Sequence, residues 1–327
     1  MRRNVVIVGD SPLSLLVARA LDQELARSAH IDVAYLSRDE RLLYWPELTS
    51  LLGTRSGVGL AGLLKHVSFK KAAIKQINLI DRRVITSGGI FDYDFLFLDL
   101  TPIFTPTEVG KISQQCRRLV SEVQAKLNTG QQLRSRVTFA GEDVHSWQLA
   151  TALASDLLVH SGSVQRSIII QAQFPSRPDL KQFLAANNVA SRKTVGLLPG
   201  LTIGEPTGSI KSRLVRGALL DGADNFILRP SFNPEGHPNC LVVDGQSRLL
   251  TNLWRVDQTL AGRIADNIER FLAGNRQKEV ELPKPAGVIK GADSIMAWVG
   301  SLESRRWRAR AIAGLDRRFY HRIVGKS

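Results

Sequence analysis

The chain has 327 residues, 43% of them hydrophobic and 23% charged, which is enough for two domains with separate cores and is not the composition of a disordered chain. A net charge of +14 and a pI near 10.2 ask for an anionic partner: lipid, nucleic acid or an acidic protein. No run of ~18 apolar residues reads as a membrane span. The two cysteines, Cys116 and Cys240, are too far apart for a sequence-local redox pair or a cysteine zinc site, and are expected to be buried as small apolar residues.

In chain order, Val5-Val6-Ile7-Val8 follow Asn4 directly. A signal peptide needs a longer apolar segment and a cleavage site, so a cytoplasmic location, or the cytoplasmic face of a membrane, is expected. Residues 4–21 form a strand, a turn at Gly9, and a helix with Leu15, Leu16, Ala20 and Leu21 on one face. Residues 136–153 repeat the pattern with Gly141, Leu149, Ala150 and Leu153. Each unit is followed by a second apolar strand, residues 31–36 and residues 167–170. Strand, tight turn, helix and second buried strand make a βαβ unit, and two of them about 130 residues apart predict an α/β fold with two Rossmann-like doubly wound halves.

Between the units, residues 67–100 alternate like antiparallel strands. After the second unit, residues 223–228 read as a closing strand and residues 240–243 as a returning one. A helix over about 253–273 ends at Gly274, and Pro283 and Pro285 mark a linker to a basic C-terminal segment. There Ile295, Trp298, Val299 and Leu302 recur at helical spacing, and Ile312, Leu315, Phe319 and Ile323 continue it. Arg305, Arg306, Arg308, Arg310, Arg317, Arg318, Arg322 and Lys326 surround them. A basic amphipathic helix with Trp298 and Phe319 on its apolar face suits an anionic bilayer or a protein partner, and nucleic acid ranks last because no recognised binding motif accompanies the arginines. Association into a homo-oligomer is a further expectation.

Three segments carry a resemblance in their order and spacing: Val5–Gly9, the stretch Leu36–Leu48 with its acidic turn and aromatic-proline segment, and Tyr93–Leu98. Together they resemble the pyridine-nucleotide-dependent flavoprotein reductases, most of all type II NADH dehydrogenase. The resemblance implies an FAD domain (1–105 and 233–280) interrupted by an NADH domain (106–232), with a C-terminal tail (281–327) that docks on a membrane. It also implies where FAD and NADH would sit. In the first G-x-G-x-x-G fingerprint Gly9 keeps the tight turn, but Ser11 and Ser14 replace the second and third glycines, and Ser37 stands where the ribose-binding acid belongs. In the second, Gly141 is kept, Asp143 replaces the second glycine and Ser146 the third. A pyrophosphate ~4 Å from that carboxylate would be repelled by about 4 kcal/mol at an effective dielectric near 20, roughly a thousandfold in affinity. NAD(P)H binding is therefore not expected.

Later family positions also differ. Asp99-Leu100-Thr101-Pro102 stands for Ala-Thr-Gly, Asp244-Gly245 for Gly-Asp, and Trp254–Gln258 does not match the quinone-contacting helix start. Taken by themselves, the two glycines simply permit strand-to-helix turns, with Ser11 and Ser14 capping the first helix. His145 reads as a surface or capping residue, Asp39 and Glu47 as solvated loop charges, and the six histidines form no metal spacing. Two functions follow. One is a catalytically degenerate relative, a pseudoenzyme serving as a membrane-associated or complex-bound scaffold. The other is a divergent flavoprotein that keeps FAD and passes electrons from NAD(P)H to a quinone-like acceptor. Binding of a smaller adenine nucleotide in the old groove is a third alternative.

Overall fold

A computed structural model describes residues 2–25, 30–53, 57–160, 162–173, 177–191, 200–205, 214–221, 225–243, 245, 248–305 and 307–325. In chain order the first body contains β1 (Arg3–Val8), α1 (Pro12–Leu25), β2 (Ile31–Ser37), β3 (Arg41–Leu42), β4 (Val58–Gly59) and β5 (Ser68–Lys71). It continues with β6 (Ile74–Asn78), β7 (Arg83–Thr86), β8 (Gly89–Asp92) and β9 (Phe95–Asp99). Then come α2 (Pro106–Asn128), β10 (Ser135–Phe139), α3 (Val144–Leu157), α4 (Gly162–Ser167), β11 (Ile168–Ala172), α5 (Pro178–Ala186), β12 (Val189–Ser191) and β13 (Gly200–Ile203). The chain finishes with β14 (Val215–Arg216), β15 (Cys240–Val243), α6 (Trp254–Leu272), β16 (Ala286–Lys290), β17 (Ile295–Val299), β18 (Leu302–Arg305) and α7 (Trp307–Val324).

Two parallel sheets organise these elements, in the orders β15-β9-β1-β2-β5 and β12-β11-β10-β13. The doubly wound α/β fold expected from the repeat is present, with the strands of the second sheet lying in sequence between β9 and β15 of the first. The residues explain it: β9 and β15 are buried at every position, as strands covered on both faces must be, and so are uniformly apolar apart from Asp99. Helix α1 packs its face of Leu13, Leu16, Val17 and Leu21 into one core with α6 residues Leu260, Ile264 and Ile268. Helix α2, 23 residues long, begins at a capping box. Thr105 accepts the Glu108 N–H and the Glu108 carboxylate accepts the Thr105 N–H, so two otherwise orphaned donors are satisfied reciprocally.

Residues 67–100 are not one antiparallel set. Strand β5 pairs parallel with β2 and β9 parallel with β1, while only β6-β7-β8 form an antiparallel meander. Of the closing strand at 223–228, Ala223 and Asp224 lie outside the described residues, and Phe226 and Leu228 make isolated antiparallel bridges to Leu220 and Pro234. The expected helix α6 ends with its cap at Ala273.

The C-terminal segment needs the largest correction. Helix α7 is present, but the stripe at 295–302 is a hairpin, with Val299 opposite Leu302 and Trp298 opposite Glu303. Trp298 is only 1% exposed and donates its indole N–H to the Leu250 carbonyl at 3.0 Å, so it belongs to the core. Phe319 and Tyr320 are likewise buried against the first sheet's core. Both cysteines are buried, as expected, and burial pushes the Cys116 thiol up to about 12.

Candidate functional site

In open α/β sheets, ligands bind outside the carboxyl ends of the parallel strands. In the first sheet that crevice is bounded by Asp10 and Ser11 after β1, Ser37 and Arg38 at the end of β2, Asp99 and Thr101 at β9, and Arg248 after β15. All are buried except Arg38, which is half-buried.

These side chains bond to one another. Asp10 accepts the Ser37 hydroxyl at 2.9 Å and the Arg38 backbone N–H at 2.8 Å on one oxygen, and the Arg38 guanidinium at 2.5 Å on the other. Arg38 continues to Glu108 at 3.2 Å, at the start of α2. Beside this pair, Asp99 accepts the hydroxyls of both Ser11 and Ser14, the latter at 2.7 Å. Its second oxygen accepts the Thr101 N–H at 3.0 Å and the Thr101 hydroxyl at 2.6 Å. Arg248 donates to Thr101 at 3.1 Å and pairs with Asp257 in the first turn of α6. Desolvation, helped by the nearby charges of Asp99 and Asp316, pushes the Asp257 carboxyl up to about 6 against the pull of Arg248.

The second sheet shows the same device in smaller form. Asp143 is the N-cap of α3 and accepts the backbone N–H groups of His145 and Ser146 at 2.9 and 3.0 Å and the Ser146 hydroxyl at 2.6 Å. Its carboxylate sits at the positive end of the helix, where a bound anion would otherwise go. His145 is buried rather than at the surface, its ring 4.5 Å from that of Trp45. Its Nδ1 lies 3.5 Å from an Asp143 carboxylate oxygen without hydrogen-bond geometry.

The cofactor that the fold implies can be tested against these residues. The approach a pyrophosphate needs is at the second glycine of the fingerprint, and Ser11 and Asp143 stand there, both buried and hydrogen-bonded. Beside Ser11, a Cβ built on Gly9 would lie 2.1 Å from the Ser14 hydroxyl and 2.7 Å from the Asp99 Cβ, so protein atoms pack closely around the turn itself. A Cβ on Gly141 would lie 2.2 Å from the Asp143 carboxylate. Two buried carboxylates at the first turn and one at the second would face a ligand of like charge. The residues present do not fit a dinucleotide pyrophosphate at either turn.

A third cluster closes the crevice at the start of α6. Tyr44 stacks on Tyr320 of α7, with ring centroids 4.3 Å apart, and Trp254 meets both rings edge-on. Asp316 of α7 is buried, accepts the Tyr44 hydroxyl at 2.9 Å, and accepts the Arg255 N–H at 2.7 Å. Burial raises the Asp316 carboxyl, and the Arg255 N–H and Tyr44 hydroxyl work against that rise.

The structure thus brings Gly9, Ser11, Ser14 and Ser37 together at one crevice and Gly141, Asp143 and Ser146 at another. Asp39 is buried, not solvated, and accepts the Thr107 N–H at 3.0 Å. Glu47 is half-buried and pairs with Arg317 at 2.6 Å. Arg308, Arg310, Arg317, Arg318 and Arg322 are exposed on α7, Arg305 ends β18, and Asp244, Arg306 and Lys326 lie outside the described residues. Sequence reading missed Asp10, Arg38, Arg248 and Asp257. The available signal was the carboxylate after Gly9 and the charge at Asp99 in an otherwise apolar strand. Among the described residues no cluster of His, Cys, Asp or Glu could hold a metal, and no helix is long and apolar enough to cross a membrane.

No protein-family model matches the sequence, and no curated protein does. Solved structures share the fold at low identity. Sulfide:quinone oxidoreductase from Aquifex aeolicus aligns with TM-score 0.70 at 13% identity, over 98% of this chain and 91% of its own. A chain of the Tetrahymena thermophila mitochondrial ATP synthase aligns with TM-score 0.62 at 12% identity, over 99% and 96%. An NAD-dependent persulfide reductase from A. fulgidus aligns with TM-score 0.57 at 11% identity, over 95% and 66%. The chain shares with these structures a Rossmann-like α/β architecture built on two parallel sheets.

Proposed function

We propose that this chain is a non-catalytic descendant of a flavoprotein of the type II NADH dehydrogenase kind, and acts as a structural component of a larger assembly. One observation carries the reading: the crevice that would take FAD is filled by two hydrogen-bonded sets, Asp10 with Ser37 and Arg38, and Asp99 with Ser11 and Ser14. A carboxylate replaces the pyrophosphate as the anion at each turn, so the folded state satisfies its buried donors without a cofactor. The ATP synthase chain supports the second half of the proposal, since there a chain of this architecture is part of a multi-subunit complex. The exposed arginines of α7 offer that assembly, or a membrane carrying it, a cationic docking face.

The test is flavin content. The purified protein is expected to lack flavin absorbance, to release no FAD on heating and to show no melting shift on adding FAD. Stoichiometric FAD, followed by NADH oxidation with a quinone acceptor, would establish the divergent enzyme instead. Stabilisation by AMP or ATP without FAD would favour a smaller nucleotide in the groove.

A further inference from the structure

One side of α7 borders a cleft of about 470 Å³ that belongs to neither nucleotide turn. The turn joining β16 to β17 and Thr49 line the rest of it. Three cations line it, Lys290, Arg310 and Arg317, together with Asp293. Glu47 holds the Arg317 guanidinium at 2.6 Å, which fixes one cation in place while Arg310 stands exposed one helical edge away. Arg310, Gly314 and Arg317 lie at positions i, i+4 and i+7, on one line of the helix. Gly314 is the informative member. Glycine in a helix interior costs stability relative to alanine, and a Cβ there would meet nothing within 4 Å. No neighbour requires the glycine for close packing, and its missing side chain leaves the cleft open.

We propose that this cleft binds a phosphate ester. The planar guanidinium of Arg310, with that of Arg317, whose Nε is already engaged by Glu47 and His321, matches a group with several acceptor oxygens and up to two negative charges. The cleft's volume suits a small phosphorylated molecule or the headgroup of a phospholipid. The site does not rest on the loss of the dinucleotides, because none of its residues belongs to either turn.

The test titrates the full chain by calorimetry with inorganic phosphate and glycerol 3-phosphate. A parallel arm measures co-sedimentation with phosphatidylcholine vesicles, with and without phosphatidic acid. Two variants report on the cleft: Arg310→Ala and Gly314→Leu. The leucine fills the opening while improving helix propensity, so an unchanged or higher melting temperature certifies its fold. Arg322→Ala removes the same charge elsewhere on α7. Binding of glycerol 3-phosphate, weakened about tenfold or more by both cleft variants and little by Arg322→Ala, supports a soluble phosphate ester. Vesicle binding that requires phosphatidic acid, without glycerol 3-phosphate binding, and that both cleft variants weaken more than Arg322→Ala does, supports a lipid headgroup. The proposal is overturned if neither probe binds at millimolar concentration, if the cleft variants bind like the parent, or if Arg322→Ala weakens binding as much as Arg310→Ala. Flavin content decides the proposed function separately, and no outcome here alters it.

Discussion

Ser14 donates its hydroxyl hydrogen to Asp99 at 2.7 Å, joining the first turn of α1 to the end of β9. Ser14 stands where the dinucleotide fingerprint has its third glycine, and Asp99 is the one charged residue of an otherwise apolar strand. Each departure makes the other tolerable: a buried carboxylate needs donors, and a buried hydroxyl needs an acceptor. Asp99→Ala should therefore cost about 3–5 kcal/mol, because it orphans Ser11, Ser14 and Thr101 together. Urea unfolding measures this, and a loss below about 1 kcal/mol would mean the network is solvated.

Placing glycine at positions 11 and 14 should not confer FAD affinity. The double variant Ser11→Gly, Ser14→Gly clears two hydroxyls but leaves the Asp99 and Asp10 carboxylates in place, now with fewer donors. The expected result is a less stable protein and no quenching in a flavin fluorescence titration. Micromolar FAD binding by this variant would show that the serines alone exclude the cofactor.

At the second turn, Asp143→Ala should cost about 1–2 kcal/mol, the usual loss for an N-cap. Two backbone N–H groups and the Ser146 hydroxyl lose their acceptor, so the cost belongs at the upper end of that range. Thermal unfolding of Asp143→Ala against Asp143→Asn checks the cap, since asparagine retains an acceptor oxygen and should recover most of the stability.

Acidification from pH 7 to pH 5 should stabilise the fold. The Asp257 carboxyl is raised to about 6 in the folded chain from an ordinary 3.8, so between those values the folded state binds more protons than the unfolded one. That contribution is complete below the unfolded value and is lost as pH rises through about 6, with an upper bound of about 3 kcal/mol. Asp22 and Asp39 are lowered: burial would raise both, but backbone N–H groups of 65–67 hold the first, and Thr107 and Arg41 the second. Their stabilisation is lost as pH falls below the ordinary carboxylate range, so the two effects occupy different windows. The urea midpoint should rise from pH 7 to 5 in the parent and stay flatter in Asp257→Asn.

The extent to which these features could be read in advance differs between them for physical reasons. The βαβ units were legible because β1 and β10 are covered on both faces and their turns need Gly9 and Gly141. The hairpin at 295–305 was not, since Ile295, Trp298, Val299 and Leu302 satisfy helical spacing by coincidence. The competing signal was Gly300-Ser301, a two-residue loop with Gly300 at φ +60°, which closes a hairpin. The start of α2 went unread, although Thr105-x-x-Glu108 has the spacing of the capping box found there. The pairing of Asp10 with Ser37 and Arg38 was not legible, because it spans 27 and 28 residues and exists only once β1 and β2 lie side by side.

The burial of Phe319 and Tyr320 changes how a docking role for α7 must be tested. Deleting the helix would expose Tyr44 and Trp254 and leave Arg255 without Asp316, so a truncated chain would lose stability and gain an adhesive apolar surface. Surface variants avoid this. On the outer face, Trp307 and Leu315 are exposed at 70% and 48%, and Arg308, Arg318 and Arg322 share that face. With most of its apolar residues turned inward, the helix can engage a bilayer mainly through charge, with Trp307 and Leu315 as its exposed large apolar side chains. Near an anionic surface each arginine contributes about 1 kcal/mol. Arg318→Glu with Arg322→Glu should then weaken co-sedimentation with anionic vesicles more than about tenfold, with no change in melting temperature. High salt should abolish what remains, because exposed charges are screened within about 8 Å at physiological ionic strength. Undiminished vesicle binding by the double variant would remove α7 as the membrane contact and leave its cationic face for a protein partner.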